Sequence, residues 1–117
     1  MTTTDNQVII ETSDGEYFHG YKETTDGTAA ECQIRDPAGN LTSVGDLLLG
    51  KTITRIAVQC STGSILTELY LTKGGSKLWD YYGGERLATT QQYNLDARGI
   101  SFPVSDKNIK LYLKTAD

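Results

Sequence analysis

The stretch Ile109-Lys-Leu-Tyr-Leu-Lys114 alternates apolar and polar side chains at every step. Successive side chains of a β-strand point to opposite faces, so this stretch predicts a strand with one buried and one solvated face. Residues 56–60 (Ile-Ala-Val-Gln-Cys) repeat the pattern, with positions 56, 58 and 60 on one side. Half-buried strands of this kind are typical of antiparallel sheets that cover a core on one side.

Seven further strands are predicted from the same alternation and from the glycine-containing turns between them. Asp-Gly occurs at 14–15 and 26–27, and Gly-Gly at 74–75 and 83–84; these pairs supply the positive φ angles that tight hairpins need. Short strands at such spacing favour a sandwich, a barrel or a prism. The predicted strands cover residues 8–12, 17–24, 29–34, 65–72, 78–82, 89–95 and 100–104.

The length of 117 residues suits a single domain, which we expect to span residues 1–117 with a flexible N-terminus at 1–6. The fold class predicted is all-β, an antiparallel Greek-key architecture. Residues 43–50 form the one candidate helix, which is too short to be stable alone. We expect a turn or a single helical turn there, with Leu47 and Leu49 buried.

The net charge of −4 argues against nucleic acid as a partner, because neutralisation of phosphates dominates that kind of affinity. The one local basic cluster, Lys107, Lys110 and Lys114, is interpreted as a solvated outer face of a strand. The expected partners therefore do not include nucleic acid.

No apolar run approaches the ~20 residues of a membrane-spanning helix, and residues 1–7 lack the pattern of a signal peptide. We expect no transmembrane segment, and either a cytoplasmic location or export without a cleaved signal peptide. Cys32 and Cys60 do not form a Cys-x-x-Cys motif. Two free, buried thiols are expected, with one disulfide as the alternative.

Residues 9–15 (Ile-Ile-Glu-Thr-Ser-Asp-Gly), followed by Tyr-Phe-His-Gly at 17–20 and Asp-Gly-Thr at 26–28, resemble a segment of the jacalin-like lectins. Residues 39–58 look like the closing hairpin of that family. The resemblance implies a β-prism-like fold, with the repeats in rotated order, and binding of carbohydrate. The turn at residues 50–54 ends in Thr54, where the family usually carries the sugar-binding Asp. A β-sandwich is the alternative fold.

Catalytic and metal-binding patterns are missing from the sequence. His19 is the only histidine, and no serine lies in the Gly-x-Ser-x-Gly elbow of a hydrolase. Cys32, Cys60 and His19 do not have the spacing of zinc ligands, and no phosphate-binding loop is present. We therefore expect no enzyme activity, no metal and no cofactor.

The stretch Leu-Trp-Asp-Tyr-Tyr-Gly-Gly-Glu at 78–85 is the first candidate binding site. Flat aromatic rings suit the apolar faces of sugars, and adjacent carboxylates accept hydrogen bonds from hydroxyl groups. In the alternative interpretation, Trp79 fills the core. The candidate ligand-binding residues are Trp79, Asp80, Tyr82, Gly83, Gly84 and Glu85.

A second candidate group lies on the predicted strand 17–24. Tyr17, His19 and Tyr21 share one face of this strand, and Phe18 then belongs to the interior. An outward row of two tyrosines and a histidine forms a platform that can both stack and donate hydrogen bonds.

Together these features predict a lectin-like module that binds glycans or glycoconjugates through an aromatic and glycine-rich loop. The alternative is a non-enzymatic module that interacts with protein or membrane, such as a small toxin component or effector, in which case a homo-oligomer is expected. Exposed rings and a shallow cleft favour the first class, and a contiguous apolar surface patch favours the second.

Overall fold

The computed structural model of the chain describes residues 3–61, 64–81 and 94–116. The prediction of an all-β protein is confirmed, since only one short helix interrupts the strands of this part of the chain. The elements are β1 (Thr3–Thr12), β2 (Tyr17–Thr25), β3 (Ala30–Glu31), β4 (Ile34–Arg35), β5 (Leu41–Thr42), α1 (Val44–Leu48), β6 (Thr52–Cys60), β7 (Ile65–Lys73), β8 (Ser76–Tyr81), β9 (Asn94–Pro103) and β10 (Ile109–Ala116).

The described strands form two antiparallel sheets. One has six strands in the order β5-β4-β2-β1-β6-β9, and the other has four in the order β3-β10-β7-β8. β1 lies at the centre of the larger sheet, paired with β2 on one side and β6 on the other. β10 and β7 are the central pair of the smaller sheet.

A single hydrophobic core draws its side chains from both sheets. The alternating residues predicted to face inward are buried in β6 (Ile56, Val58, Cys60) and in β10 (109, 111 and 113). They form one cluster with residues of β1, β2 and β7. Burial of this apolar surface, worth about 25 cal/mol per Å², is the main force that holds the sheets together.

The first strand begins earlier than expected, because a polar group of residues is buried at its start. Residues 3–6, expected to belong to a flexible N-terminus, pair with β2. Asn6 is fully buried, and its side-chain amide donates to the Lys22 carbonyl (2.9 Å) and to Thr24 Oγ1 (3.0 Å). Thr24 Oγ1 in turn lies 2.6 Å from Thr115 Oγ1 of β10. These hydrogen bonds compensate the burial of the Asn6 NH2 group and of the two threonine hydroxyls, whereas Asn6 Oδ1 is buried without a partner among the described residues. Hydropathy alone does not reveal such buried polar groups.

Two predicted strands are divided or joined differently in the structure. The strand predicted at 29–34 is split, since β3 pairs with β10 in one sheet and β4 pairs with β2 in the other. The chain crosses between the sheets at Cys32, whose amide donates to the Leu111 carbonyl (2.8 Å). The strand predicted at 100–104 is continuous with residues 94–99 in β9, and residues 89–93 lie outside the described part of the chain.

The helix α1 buries Val44, Gly45 and Leu48, whereas Leu47 is half-buried and Leu49 is 54% exposed. The prediction that Leu49 is buried is therefore wrong. Residues four apart share a face of a helix, so Val44 and Leu48 point to the core together and Leu49 turns away.

Gly45 holds α1 close to the start of β10. A Cβ atom at this position would lie 2.4 Å from the Lys107 carbonyl oxygen and 2.7 Å from that of Ile109. Both neighbours are backbone atoms, which cannot rotate away as a side chain can. The contact therefore requires glycine.

Cys32 and Cys60 are completely buried thiols with no disulfide between them, which confirms the expectation from the sequence. Burial disfavours the thiolate and raises the pKa of Cys32 to about 12 and that of Cys60 to about 11. Both residues therefore act as small apolar side chains of the core.

Replacing Gly45 by alanine should destabilise the protein by about 1–3 kcal/mol, because the added methyl group collides with the backbone of Lys107. Helix propensity alone predicts the opposite sign, since alanine is favoured over glycine in a helix by about 1 kcal/mol. Urea unfolding of the wild type and G45A measures the free energy of unfolding and distinguishes the two effects. A variant as stable as the wild type would contradict the close packing of α1.

Candidate functional site

The outward side of β2, β1, β6 and β9, which we call the open face, carries the second predicted group of aromatic residues. Tyr17 and Tyr21 are 56% and 41% exposed, and His19 between them is also exposed. Phe18 is buried in the core, as the alternation predicted. The three outward rings therefore lie in a row along β2, held by a backbone that is paired with β1 over its length.

Strand register continues this row across the sheet. Opposite residues on neighbouring antiparallel strands have Cβ atoms about 5 Å apart, so each set of partners forms a rung of contacting side chains. Three rungs cross the open face: Tyr21–Gln7–Gln59, His19–Ile9–Ala57–Asp96 and Tyr17–Glu11–Arg55–Arg98.

The middle of the open face is a shallow depression of about 220 Å³. Its lining includes the half-buried apolar side chains of Ile9 and Ala57. The exposed amides of Gln7 and Gln59 lie beside them, directly opposite each other on β1 and β6. An amide offers both donors and acceptors, so the depression combines an apolar floor with hydrogen-bonding groups at its edge.

The charged residues of the open face neutralise each other. Arg55 makes two hydrogen bonds to Asp96, from Nε to Oδ1 (2.7 Å) and from Nη2 to Oδ2 (3.2 Å), and lies 3.9 Å from Glu11. Arg98 Nε donates to Asp96 Oδ2 (3.0 Å). The Arg55 guanidinium holds the pKa of Asp96 below its ordinary value, and Arg98 adds to this effect. The surface is therefore polar but locally balanced in charge.

A second depression, of about 430 Å³, lies on the other side of the aromatic row. It is formed by Tyr17 and His19 together with the turn between β4 and β5. In this turn Arg35 Nη1 donates to the Gly39 carbonyl (2.8 Å), and the Asp36 carboxylate accepts two backbone N–H groups. Tyr17 and His19 thus stand between two hollows of the same surface.

The described part of the first predicted group, residues 78–81, lies on the other sheet. Trp79 and Tyr81 of β8 are partly buried and pack against the core, in agreement with the alternative that Trp79 fills the interior. Asp80 is half-buried on the opposite side of β8, and Leu78 is 51% exposed. Tyr82, Gly83, Gly84 and Glu85 lie outside the described residues. The described members of the first group, Trp79 and Asp80, therefore lie on a different sheet from the row of Tyr17, His19 and Tyr21.

Sequence reasoning missed a third aromatic group, on the outward side of the four-stranded sheet. Tyr70 of β7 and Tyr112 of β10 are cross-strand partners whose rings stack, with centroids 5.4 Å apart and an angle of 9° between the planes. The Lys77 ammonium lies 4.4 Å from the Tyr70 ring centroid on the neighbouring strand β8. Alternation predicts that Tyr112 faces outward, but the pairing with Tyr70 depends on strand register.

Within residues 3–61, 64–81 and 94–116, no helix has the length and apolar character needed to cross a membrane. The same residues contain no group of three or more His, Cys, Asp or Glu side chains placed to hold a metal ion.

No protein-family model, curated protein or solved structure matches the chain. Its function is therefore inferred from the chemistry of its surfaces.

Replacing Arg55 by glutamine should raise the pKa of Asp96 towards the ordinary Asp value of about 4, because Arg55 is its main hydrogen-bond partner. Because the pKa of Asp96 is lower in the folded state than in the unfolded state, its ionised carboxylate stabilises the fold. This stabilisation is complete above about pH 4 and is lost as the pH falls through the folded-state pKa. NMR titration of the Asp96 carboxyl carbon measures the pKa in each protein.

The matched control for R55Q is R98Q, which removes the more exposed partner of the same carboxylate. We expect a smaller rise in the pKa of Asp96 in this variant. A rise in R98Q as large as that in R55Q would contradict the assignment of Arg55 as the principal partner.

Proposed function

We propose that the protein is a non-catalytic, lectin-like module that binds glycans through the open face of its six-stranded sheet. The observation that carries this proposal is the row of exposed rings on β2, Tyr17, His19 and Tyr21, next to a depression with an apolar floor and amide edges. A sugar ring has the matching chemistry, since it presents an apolar C–H face and a rim of hydroxyl groups.

The aromatic row supplies the stacking part of the interaction. Tyrosine combines an apolar body with a hydroxyl group that hydrogen-bonds, so it can cover a C–H face and still bind at the edge. The Tyr21 hydroxyl is already oriented, because it donates to Asp5 Oδ1 (2.5 Å) across the β1–β2 pair. Rings on a paired strand lose little freedom on binding, which favours affinity.

The balanced charge of the open face favours a neutral glycan. Arg55 is held by Asp96 and Glu11, so an acidic ligand would have to compete with two carboxylates already in place. A neutral hydroxyl-rich ligand can instead add hydrogen bonds to Gln7, Gln59 and the ion-paired groups without breaking those pairs. Shallow, solvated surfaces of this kind bind weakly, with dissociation constants near the millimolar range.

The resemblance of residues 9–15 and 17–20 to jacalin-like lectins supports the same class of function. These residues form the β1–β2 hairpin, which carries the aromatic row. Under the proposal, the chain also shares the β-prism-like fold of that family. Residues 82–85, which follow Trp79 in the sequence and lie outside the described residues, stay a second predicted contact region for glycans.

Replacing Tyr17 or Tyr21 by alanine should weaken glycan binding about tenfold, or ~1.4 kcal/mol, because each change removes a stacking surface. A glycan array finds the ligand, and calorimetry with the best neutral oligosaccharide compares the variants. Leu78→Ala is the matched control, since it removes a large exposed side chain from the other sheet and should bind normally.

Two results would overturn the proposal. One is the absence of binding to any glycan on the array, combined with binding to liposomes or with formation of a defined oligomer. This result would favour the protein- or membrane-interacting class. The other is glycan binding of equal strength in the wild type and in the Tyr17 and Tyr21 variants, which would place the ligand elsewhere.

A further inference from the structure

The outward side of the four-stranded sheet carries a cleft whose chemistry differs from that of the open face. The cleft has a volume of about 410 Å³ and is formed by β10, β7 and the turn that joins β7 to β8. We call it the lysine cleft, because Lys77 and Lys110 are its only charged residues among those that the structure describes there. The open face and the cleft lie on different sheets.

Strand register places the two lysines on one rung. Thr72 of β7 is the partner of Lys110 on β10 and of Lys77 on β8, so the two lysines begin on either side of a single threonine. Neighbouring strands lie about 4.8 Å apart, which puts the two lysine backbones roughly 10 Å apart on the same side of the sheet. The Lys77 ammonium then lies over the Tyr70 ring, two residues along β7 from Thr72.

Lys77 is held in place by its neighbours. Its ammonium lies over the Tyr70 ring, forms an ion pair with Glu68 and lies 3.9 Å from Asp80 Oδ2. Tyr112 stacks on Tyr70 and continues the layer towards β10. The carboxylates of Glu68 and Asp80 already compensate the charge of Lys77, so its part in the cleft is to fix the position of the tyrosine wall.

Lys110 is the less constrained cation. It is exposed and, within the described part of the chain, makes no ion pair. Asn108, two residues earlier, also lines the cleft and adds an amide. At the far end the turn is formed by Gly74 and Gly75, which have positive φ angles and leave the space beside them open.

The uncompensated charge of the cleft, which is that of Lys110, is opposite in sign to the net charge of the protein. The chain has a net charge of −4, and both hollows beside the aromatic row contain at least one carboxylate. A local concentration of one sign of charge in a cleft raises the local concentration of ligands of the other sign.

We propose that the lysine cleft is a binding site for an oxyanion, a carboxylate or a sulfate ester, with Lys110 as its principal ion-pair partner. The Asn108 amide completes the site, and the stacked tyrosines, with Lys77 over Tyr70, form its wall. The oxyanion can belong to an acidic sugar or be a free inorganic anion. This site is independent of the proposed glycan surface, since it uses the other sheet and the opposite ligand charge.

The test uses four probes with the intact protein: glucuronate, glucose 6-sulfate, inorganic sulfate and neutral glucose. Two-dimensional ¹H–¹⁵N NMR follows the amide signals of Gly74, Gly75 and Asn108 during each titration. We expect the anionic probes to shift these signals with dissociation constants in the millimolar range, and glucose to leave them in place. Added salt should weaken the binding, because the ion pairs are exposed.

Replacing Lys110 by alanine should weaken anion binding at least tenfold. Lys114→Ala is the matched control, because Lys114 lies on the same strand and the same side but does not line the cleft. Tighter binding of the acidic sugars than of sulfate identifies a sugar as the ligand, and equal binding identifies a general oxyanion site. Both results support the proposal.

Three results would overturn it: no shift with any anionic probe, the same shift with glucose, or equal losses in K110A and K114A. The Tyr17→Ala variant separates this test from that of the proposed function. It should bind the anionic probes normally even if the open face binds no glycan.

Discussion

The described strands that cover the core place their side chains on alternate sides over most of their length, and the core exists only because the inward sides of two sheets meet. Ile10, Ile56 and Leu111 come from three different strands and are completely buried in one cluster. The same geometry forces the residues between them into solvent. The outer faces of the sheets are therefore fixed by the requirement to fill the core, and they carry whatever chemistry the intervening residues supply.

The two outer faces carry different chemistry. On the open face, Arg55 is paired with acidic neighbours, so the aromatic row stands on a surface of balanced charge. On the other sheet, Tyr70 and Tyr112 support a cleft whose charged residues are lysines. A neutral ligand on the first face and an anionic ligand on the second are compatible with each other, because the two surfaces share no residue.

Alternation along the sequence was sufficient to predict most of the described strands and the outward direction of the residues at 17, 19 and 21, since both depend on local periodicity. It could not predict which strands become neighbours, so the stacking of Tyr70 on Tyr112 was missed. The change of sheet at Cys32 also depends on distant partners. The burial of the polar residues around Asn6 was not predicted, because hydropathy does not show which polar side chains form buried hydrogen bonds. The role of residues 82–85 stays a prediction.

The most direct test of the alternating faces is the NMR line broadening caused by a soluble gadolinium complex, which acts on side chains in proportion to their exposure. The structure predicts strong broadening for Tyr17, His19 and Tyr21 and very little for Phe18 and Leu111. Broadening of Phe18 equal to that of its two neighbours would contradict the structure of β2, and with it the surface to which glycan binding is assigned.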